Sequence, residues 1–153
     1  MYERNYFGMM MVERGDADAF ITGLYTKYSN TIKVATEVVG VREGYHTFGT
    51  MHIVNSQKGT FYIADTLINR HPDNNYLVDI ARLSANTVEF FNEKPVMAMI
   101  SYSNFGTDEI GSPLKVHEAV EELHANYPNL IVDGEMQVNF ALNREMRRSE
   151  EHT

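Results

Sequence analysis

Cysteine is absent from this chain of 153 residues, and so is any long apolar run. The missing thiols exclude disulfide bonds, thiolate zinc sites and cysteine nucleophiles together. No stretch approaches the roughly 20 apolar residues that a membrane-spanning helix needs. The segment from Met1 to Val12 also lacks an apolar region long enough for a signal peptide. We therefore expect a soluble, cytoplasmic protein with no membrane partner.

Positive charge is scarce. The chain has 13 Lys and Arg residues against 21 Asp and Glu, which gives a formal net charge of -8. An acidic chain repels phosphate backbones at long range, so we predict no nucleic-acid partner. A small anionic ligand is compatible with this charge where cations or backbone N–H groups cluster locally. The length and the 43% hydrophobic content are those of one globular domain.

The periodicity of apolar residues predicts alternating helices and strands. Ser29 is the expected N-cap of the second helix, and Gly40 is its expected C-terminal stop. Two β-rich runs joined by a polar loop, residues 55–59, predict a hairpin. The predicted helices cover residues 6–14, 29–39, 74–91, 113–126 and 136–146, and the predicted strands cover 19–22, 47–54, 60–64, 96–101 and 130–132.

This order of elements predicts an α/β fold with a mixed sheet covered by helices. We expect the strands at 96–101 and 130–132 to be buried, adjacent and parallel, joined by the 113–126 helix. Loops at the carboxyl ends of parallel strands usually form the ligand crevice. Here those loops are residues 101–106 and 133–137, and both are polar and contain glycine.

The first loop offers the hydroxyls of Ser101 and Ser103, the amide of Asn104 and the flexible backbone of Gly106. Placed before a helix that starts at Ser112, these groups suit an anion or acyl-phosphate cradle. The alternative is a loop whose polar side chains only satisfy hydrogen bonds of the turn. The residues leave both interpretations open.

The second loop carries two carboxylates, Asp133 and Glu135. They suit acid/base chemistry or the binding of a cation or hydroxyl, or they cap the helix that follows. For Glu135 capping is favoured, and for Asp133 the question stays open. Asp65, Thr66 and Asn69 likewise fit either a polar site or an ordinary loop. The six histidines show no metal-ligand spacing, and we expect them on the surface.

Five segments, taken in order, resemble the phosphate acetyl/butyryltransferase family over nearly the whole chain. They are Tyr6-Phe7-Gly8, Gly15-Asp16-Ala17-Asp18, Ala64-Asp65-Thr66, Ser101 to Gly106 and Val132 to Gln137. The resemblance implies the three-layer sandwich of isocitrate and isopropylmalate dehydrogenases, with residues 1–153 as one subdomain that has a protruding β-hairpin. The sequences Ser103-Asn104-Phe105-Gly106 and Glu135-Met136-Gln137 are most similar to the transferase-like domain of bacterial NADP-dependent malic enzymes.

The resemblance implies a regulatory domain that binds acetyl-CoA or another acyl-CoA and assembles subunits, at least into a homodimer. The alternative is part of a phosphate acetyltransferase that moves acetyl between CoA and phosphate. NADP and a divalent metal would belong to the parent enzyme, and this chain would hold no cofactor and be inactive alone, because the family's catalytic Asp would lie beyond Thr153. The implied ligand-binding residues are Ser101, Ser103, Asn104, Gly106, Asp133 and Glu135, with Lys27 and Lys33 countering ligand charge.

Overall fold

The computed structural model of the protein describes residues 2–108, 110–143 and 145–146. The chain divides into two compact units, Met1–Tyr45 and His46–Thr153. The assignment of the whole chain to a single subdomain therefore stays a prediction. None of the helices in the described ranges is long and apolar enough to cross a membrane.

The first unit contains two helices, α1 (Tyr2–Glu13) and α2 (Tyr28–Val38). Helix α1 begins earlier than the predicted residue 6. Helix α2 stops as predicted, because Gly40 adopts a positive φ of 72° and donates its N–H to the carbonyl of Ala35 at 3.0 Å. The predicted Ser29 cap is wrong. The carbonyl of Lys27 already accepts the N–H of Asn30 at 2.9 Å, so the helix starts before Ser29.

The predicted strand at residues 19–22 is also wrong, because this segment is irregular. Ile21 is 96% exposed, and the described part of the first unit contains no strand that could pair with the segment. The segment nevertheless contacts α1, since Thr22 donates its hydroxyl to Oδ1 of Asn5 at 2.8 Å and Phe20 packs closely. A Cβ atom built on Gly8 would lie 2.2 Å from its ring, so the glycine makes room for Phe20 against α1. An apolar run without a pairing partner does not form a strand.

The second unit begins with the predicted hairpin, which the structure confirms. Strands β1 (Met51–Ser56) and β2 (Gly59–Ala64) pair antiparallel, with Ser56 opposite Gly59. The connecting loop is shorter than predicted, since pairing extends to Ser56 and leaves Gln57 and Lys58 between the strands. Gly59 permits this tight connection because it adopts a φ of 124°, which residues with a side chain rarely reach.

Two helices flank the second pair of strands. Helix α3 (Asn74–Phe90) is capped by Asp73, whose carboxylate accepts the N–H of Tyr76 at 2.9 Å. Helix α4 (Ser112–Asn126) connects β3 (Val96–Ile100) to β4 (Ile131–Met136). These strands are adjacent and parallel, as predicted. They form a two-stranded sheet separate from the hairpin rather than part of one mixed sheet. The three-layer sandwich stays a prediction.

The core of the second unit lies between α3, α4 and one face of the parallel pair. Its fully buried centre consists of Val78, Ala81, Ala119, Leu123 and Val132. Met97 and Met99 of β3 pack against this centre, whereas the alternate residues Val96 and Ile100 are 70% and 44% exposed. The prediction that β3 is buried was therefore wrong for one of its faces.

Strand β4 is longer than predicted and includes most of the expected 133–137 loop. Gly134 makes this possible: it adopts a φ of 141° and packs against the backbone of Met99. Pairing thereby continues past Asp133 to Met136. The last helix, α5, is Val138–Leu142, and not 136–146 as predicted; Arg144, within the predicted range, lies outside the described residues.

Candidate functional site

The loop between β3 and α4, residues 101–107, lies against the junction of β4 and α5. Ser101 donates its N–H to the carbonyl of Met136 at 2.9 Å. Gln137 donates its N–H to Oδ1 of Asn104 at 2.8 Å. The structure thus brings together the two segments that the sequence placed at one edge of the sheet. We call residues 101–107 the β3–α4 loop.

Glu135 is the centre of this arrangement, and its side chain is completely buried. Its Oε1 accepts the N–H of Gly106 at 2.6 Å, and its Oε2 lies 3.2 Å from Nδ1 of His117. Its main-chain carbonyl also accepts the N–H of Phe105 at 2.9 Å. The predicted capping role was wrong, because the N-cap of α5 is Gln137 and the oxygens of Glu135 bond to Gly106 and His117 rather than to N–H groups of α5. The carboxylate binds the β3–α4 loop instead.

The serine hydroxyls lie beneath the surface of the loop. Oγ of Ser103 is 2.6 Å from Oγ1 of Thr107, and Ser103 is 5% exposed. Oγ of Ser101 is buried and has no hydrogen-bond partner in the described part of the chain. Buried hydroxyls are seldom left unpaired. In this conformation neither serine presents an exposed hydroxyl to a ligand.

Backbone N–H groups of the loop also point inward. Asn104 donates its N–H to Oγ1 of Thr107 at 3.3 Å, and those of Phe105 and Gly106 go to Glu135. In this conformation these three N–H groups are not open to an anion. The residues of the predicted anion site are therefore present, but their N–H groups already donate hydrogen bonds within the protein.

The exposed residues of the β3–α4 loop are Tyr102, Phe105, Gly106 and Thr107, and Asp133 is exposed on β4. Tyr102 donates its hydroxyl to Oδ2 of Asp108 at 3.0 Å, and this hydrogen bond raises the pKa of the phenol. Oδ1 of Asp133 accepts the N–H of Gly134 at 2.9 Å. A Cβ atom on Gly106 would meet nothing within 4 Å, so the space above it is open to a ligand.

The two predicted lysines belong to the first unit, whereas the other six predicted site residues belong to the second. Lys27 is exposed at the start of α2, and Nζ of Lys33 lies 3.8 Å from Oε1 of Glu37. Their role in countering ligand charge stays a prediction, as does direct ligand contact by the six others.

Asp65 organises the base of the hairpin. Its carboxylate accepts the N–H of Thr50 at 2.9 Å, the hydroxyl of Thr50 at 2.6 Å and the N–H of Asn69 at 2.8 Å. Partial burial raises the pKa of Asp65, but these donated bonds lower it by more, so that pKa lies well below its usual range. Both oxygens are occupied internally, which favours the interpretation of an ordinary loop over a ligand site.

His117 is the residue that sequence reasoning missed. It is half-buried rather than on the surface, with Nδ1 near Glu135 and Nε2 3.5 Å from Oε1 of Glu121. The spacing of His117 and Glu121 on one helix was visible in the sequence. Its contact with Glu135 depends on how α4 packs on β4, which no local pattern indicates. The described residues contain no group of three acidic or histidine side chains suited to a metal ion.

A separate apolar cleft of about 490 Å³ lies in the first unit and contains none of the predicted site residues. Its lining consists of Arg4, Phe7, Gly8, Met11, Ala17, Ala19 and Phe20. The cleft separates α1 from the irregular segment that follows it. Since Arg4 is its one charged lining residue, the cleft lacks the convergent polar groups of a specific ligand site.

Comparison with known proteins identifies the family to which this chain belongs. The family described as Phosphate acetyl/butaryl transferase matches residues 1–152. The chain belongs to this family. The resemblance that the sequence motifs indicated is thereby confirmed.

Relatives of two kinds are similar to this chain. The NADP-dependent malic enzyme of Escherichia coli is 39% identical over 135 residues, which are 88% of this chain and 18% of that enzyme. The phosphate acetyltransferase of Bacillus subtilis is 33% identical over 141 residues, which are 92% of this chain and 44% of that enzyme. The chain is a phosphotransacetylase-like domain, a type found in malic enzymes and in phosphate acetyltransferases.

A solved structure agrees with this membership. A phosphotransacetylase from Streptococcus pyogenes superimposes with a TM-score of 0.84 at 30% identity, covering 94% of this chain and 44% of that one. The chain thus spans less than half the length of this structure and about a fifth of the length of the malic enzymes.

Proposed function

We propose that this chain is the regulatory, acyl-CoA-binding and oligomerisation domain of a cytoplasmic NADP-dependent malic enzyme. The observation that carries the proposal is the 39% identity to the Escherichia coli malic enzyme, against 33% to the Bacillus subtilis phosphate acetyltransferase. NADP and the divalent metal would be bound by the dehydrogenase part of that parent. This domain would respond to acetyl-CoA and leave the oxidation of malate to the parent.

The β3–α4 loop is the proposed binding element. The space above Gly106 is open, Ser101 and Ser103 belong to the same loop, and we propose that the exposed Asp133 borders the bound ligand. Lys27 is an exposed cation suited to the phosphates of CoA. We further propose that residues 1–153 form one subdomain of a three-layer sandwich of the isocitrate and isopropylmalate dehydrogenase type, as the likeness of the chain to phosphotransacetylases supports.

Acetyl-CoA titration of the chain, followed by calorimetry and by ¹H–¹⁵N NMR spectra, tests the binding role. We expect shifts at the amides of residues 101–107. Lys27→Ala should weaken binding about tenfold, the effect of losing one charge-assisted contact. Lys58→Ala is the matched control, because Lys58 is an exposed lysine at the tip of the hairpin. Equal affinities for both variants, or no binding at millimolar acetyl-CoA, would contradict the assignment.

The regulatory role requires the full-length protein. It should oxidise malate with NADP, and acetyl-CoA should change that rate. Lys27→Ala should weaken the response while leaving malate turnover without effector intact, because Lys27 would bind only the effector. Exposed apolar side chains on α1, Phe7 at 69% and Met10 at 43%, support self-association, which light scattering would detect as a dimer or larger species.

The likeness to solved phosphotransacetylases favours a second candidate, part of a phosphate acetyltransferase. In that case the full-length protein would form acetyl-CoA from acetyl phosphate and CoA and would not oxidise malate. The two assays on the same preparation separate the candidates.

A further inference from the structure

Glu135 occupies an irregular position in β4 that turns its side chain into the protein. Met99 pairs with Gly134 and Ile100 pairs with Met136, so the register skips Glu135. Such bulges redirect a side chain and are frequent beside functional sites. The result is a completely buried carboxylate directly behind the β3–α4 loop.

A carboxylate without access to water needs partners for both oxygens. In the described part of the chain, Glu135 finds the N–H of Gly106 at 2.6 Å for one oxygen and the imidazole of His117 at 3.2 Å for the other. Gly106 lies in the β3–α4 loop and His117 lies on α4. One side chain therefore links the loop, the helix that follows it and the neighbouring strand.

We infer that His117 is a positioning residue, whose imidazole orients the Glu135 carboxylate so that it holds Gly106 and fixes the shape of the β3–α4 loop. The inference rests on the proposed function insofar as this loop binds acyl-CoA. Removing the imidazole leaves one buried carboxylate oxygen without a partner. The carboxylate must then reorient, and this change weakens its bond to Gly106. His117 would thus affect the ligand without contacting it.

Amide hydrogen exchange measures, without any ligand, how often the hydrogen bond between Gly106 and Glu135 opens. In the ¹⁵N-labelled chain, His117→Ala should accelerate exchange at Gly106 about tenfold, while the amide of Leu123 in the core is unchanged. His124→Ala is the matched control, since His124 lies on the same helix but bonds the carbonyl of Val132 at 2.8 Å. It should leave Gly106 unaffected. Equal exchange at Gly106 in wild type and His117→Ala would overturn the inference.

Two further variants separate the hydrogen bond from simple packing. His117→Asn keeps an N–H donor near the position of Nδ1 and should restore slow exchange at Gly106. His117→Leu fills similar space without a donor and should not. If exchange at the Gly106 amide is as slow in His117→Leu as in His117→Asn, His117 acts by packing and the inference fails. This pair also decides the question if the alanine variant does not fold.

Acetyl-CoA affinity, measured on the same variants, connects the loop to the ligand. We expect weaker binding for His117→Ala and His117→Leu and recovery for His117→Asn. Fast exchange at Gly106 with unchanged affinity would overturn the positioning role. If the wild-type chain binds no acetyl-CoA, the proposed function fails, and the exchange data alone decide whether His117 positions the loop.

Discussion

Gly134→Ala should be among the most destabilising single substitutions in this chain. The added Cβ atom would lie 2.5 Å from the carbonyl oxygen and 3.0 Å from the Cβ atom of Met99 in the paired strand. Comfortable contact starts near 3.5 Å, so β3 and β4 would have to separate by about 1 Å. That displacement weakens ladder hydrogen bonds, each contributing about 1 kcal/mol. The φ of 141° adds about 1–3 kcal/mol of backbone strain.

The sum is a loss of about 4 kcal/mol in the free energy of unfolding, a large part of the roughly 5–15 kcal/mol typical of a domain. Urea unfolding followed by circular dichroism measures it. Gly59→Ala is the matched control, because Gly59 has a similar φ of 124° but nothing within 4 Å of the new methyl group. It should cost only the backbone strain, about 1–3 kcal/mol. Equal losses for the two variants would refute the steric argument.

Two other substitutions test the hairpin base and the core. Asp65→Asn should lower the free energy of unfolding by about 1–2 kcal/mol at neutral pH, because an amide accepts weaker hydrogen bonds from Thr50 and Asn69. Since folding lowers the pKa of Asp65, this advantage of the wild type is complete above the unfolded value of about 3.9 and is lost as the pH falls below it. A difference that stays constant down to about pH 3 would contradict this role. Leu123→Ala should lower the free energy of unfolding by about 3 kcal/mol, because Leu123 is fully buried. The control Leu114→Ala, at a partly exposed position on the same helix, should lower it by less than about 1 kcal/mol. Similar losses for the two variants would show that α4 does not pack as described.

The elements that could be predicted are those whose signals are local. Helix α3 begins at the predicted residue 74 and Gly40 ends α2, because helix ends are set by groups within one turn of the backbone. The parallel pairing of β3 and β4 followed from their apolar runs and from the connecting helix between them. Family membership was also predictable, because it depends on motifs that are read along the chain.

The errors concern features that depend on partners distant in sequence. The run at residues 19–22 is apolar enough for a strand, but no strand of the described first unit pairs with it. Strand β3 has a continuous apolar sequence, yet its hydrophobicity does not reveal that only the face carrying Met97 and Met99 is covered. Burial is a property of the neighbours, so composition alone overestimates it.

The carboxylate pair at the edge of β4 shows why the site itself was harder to predict than its location. In a regular strand, Asp133 and Glu135 would share one face, because side chains alternate with a period of two. That geometry would have supported the acid/base interpretation of the pair. The skipped register position at Glu135 turns one carboxylate inward while Asp133 stays exposed. The two groups therefore have different environments: Asp133 is exposed on β4, and Glu135 accepts a hydrogen bond from the β3–α4 loop. A single irregularity in pairing, where Gly134 packs against Met99, separates two carboxylates that are close in sequence into one surface residue and one internal support.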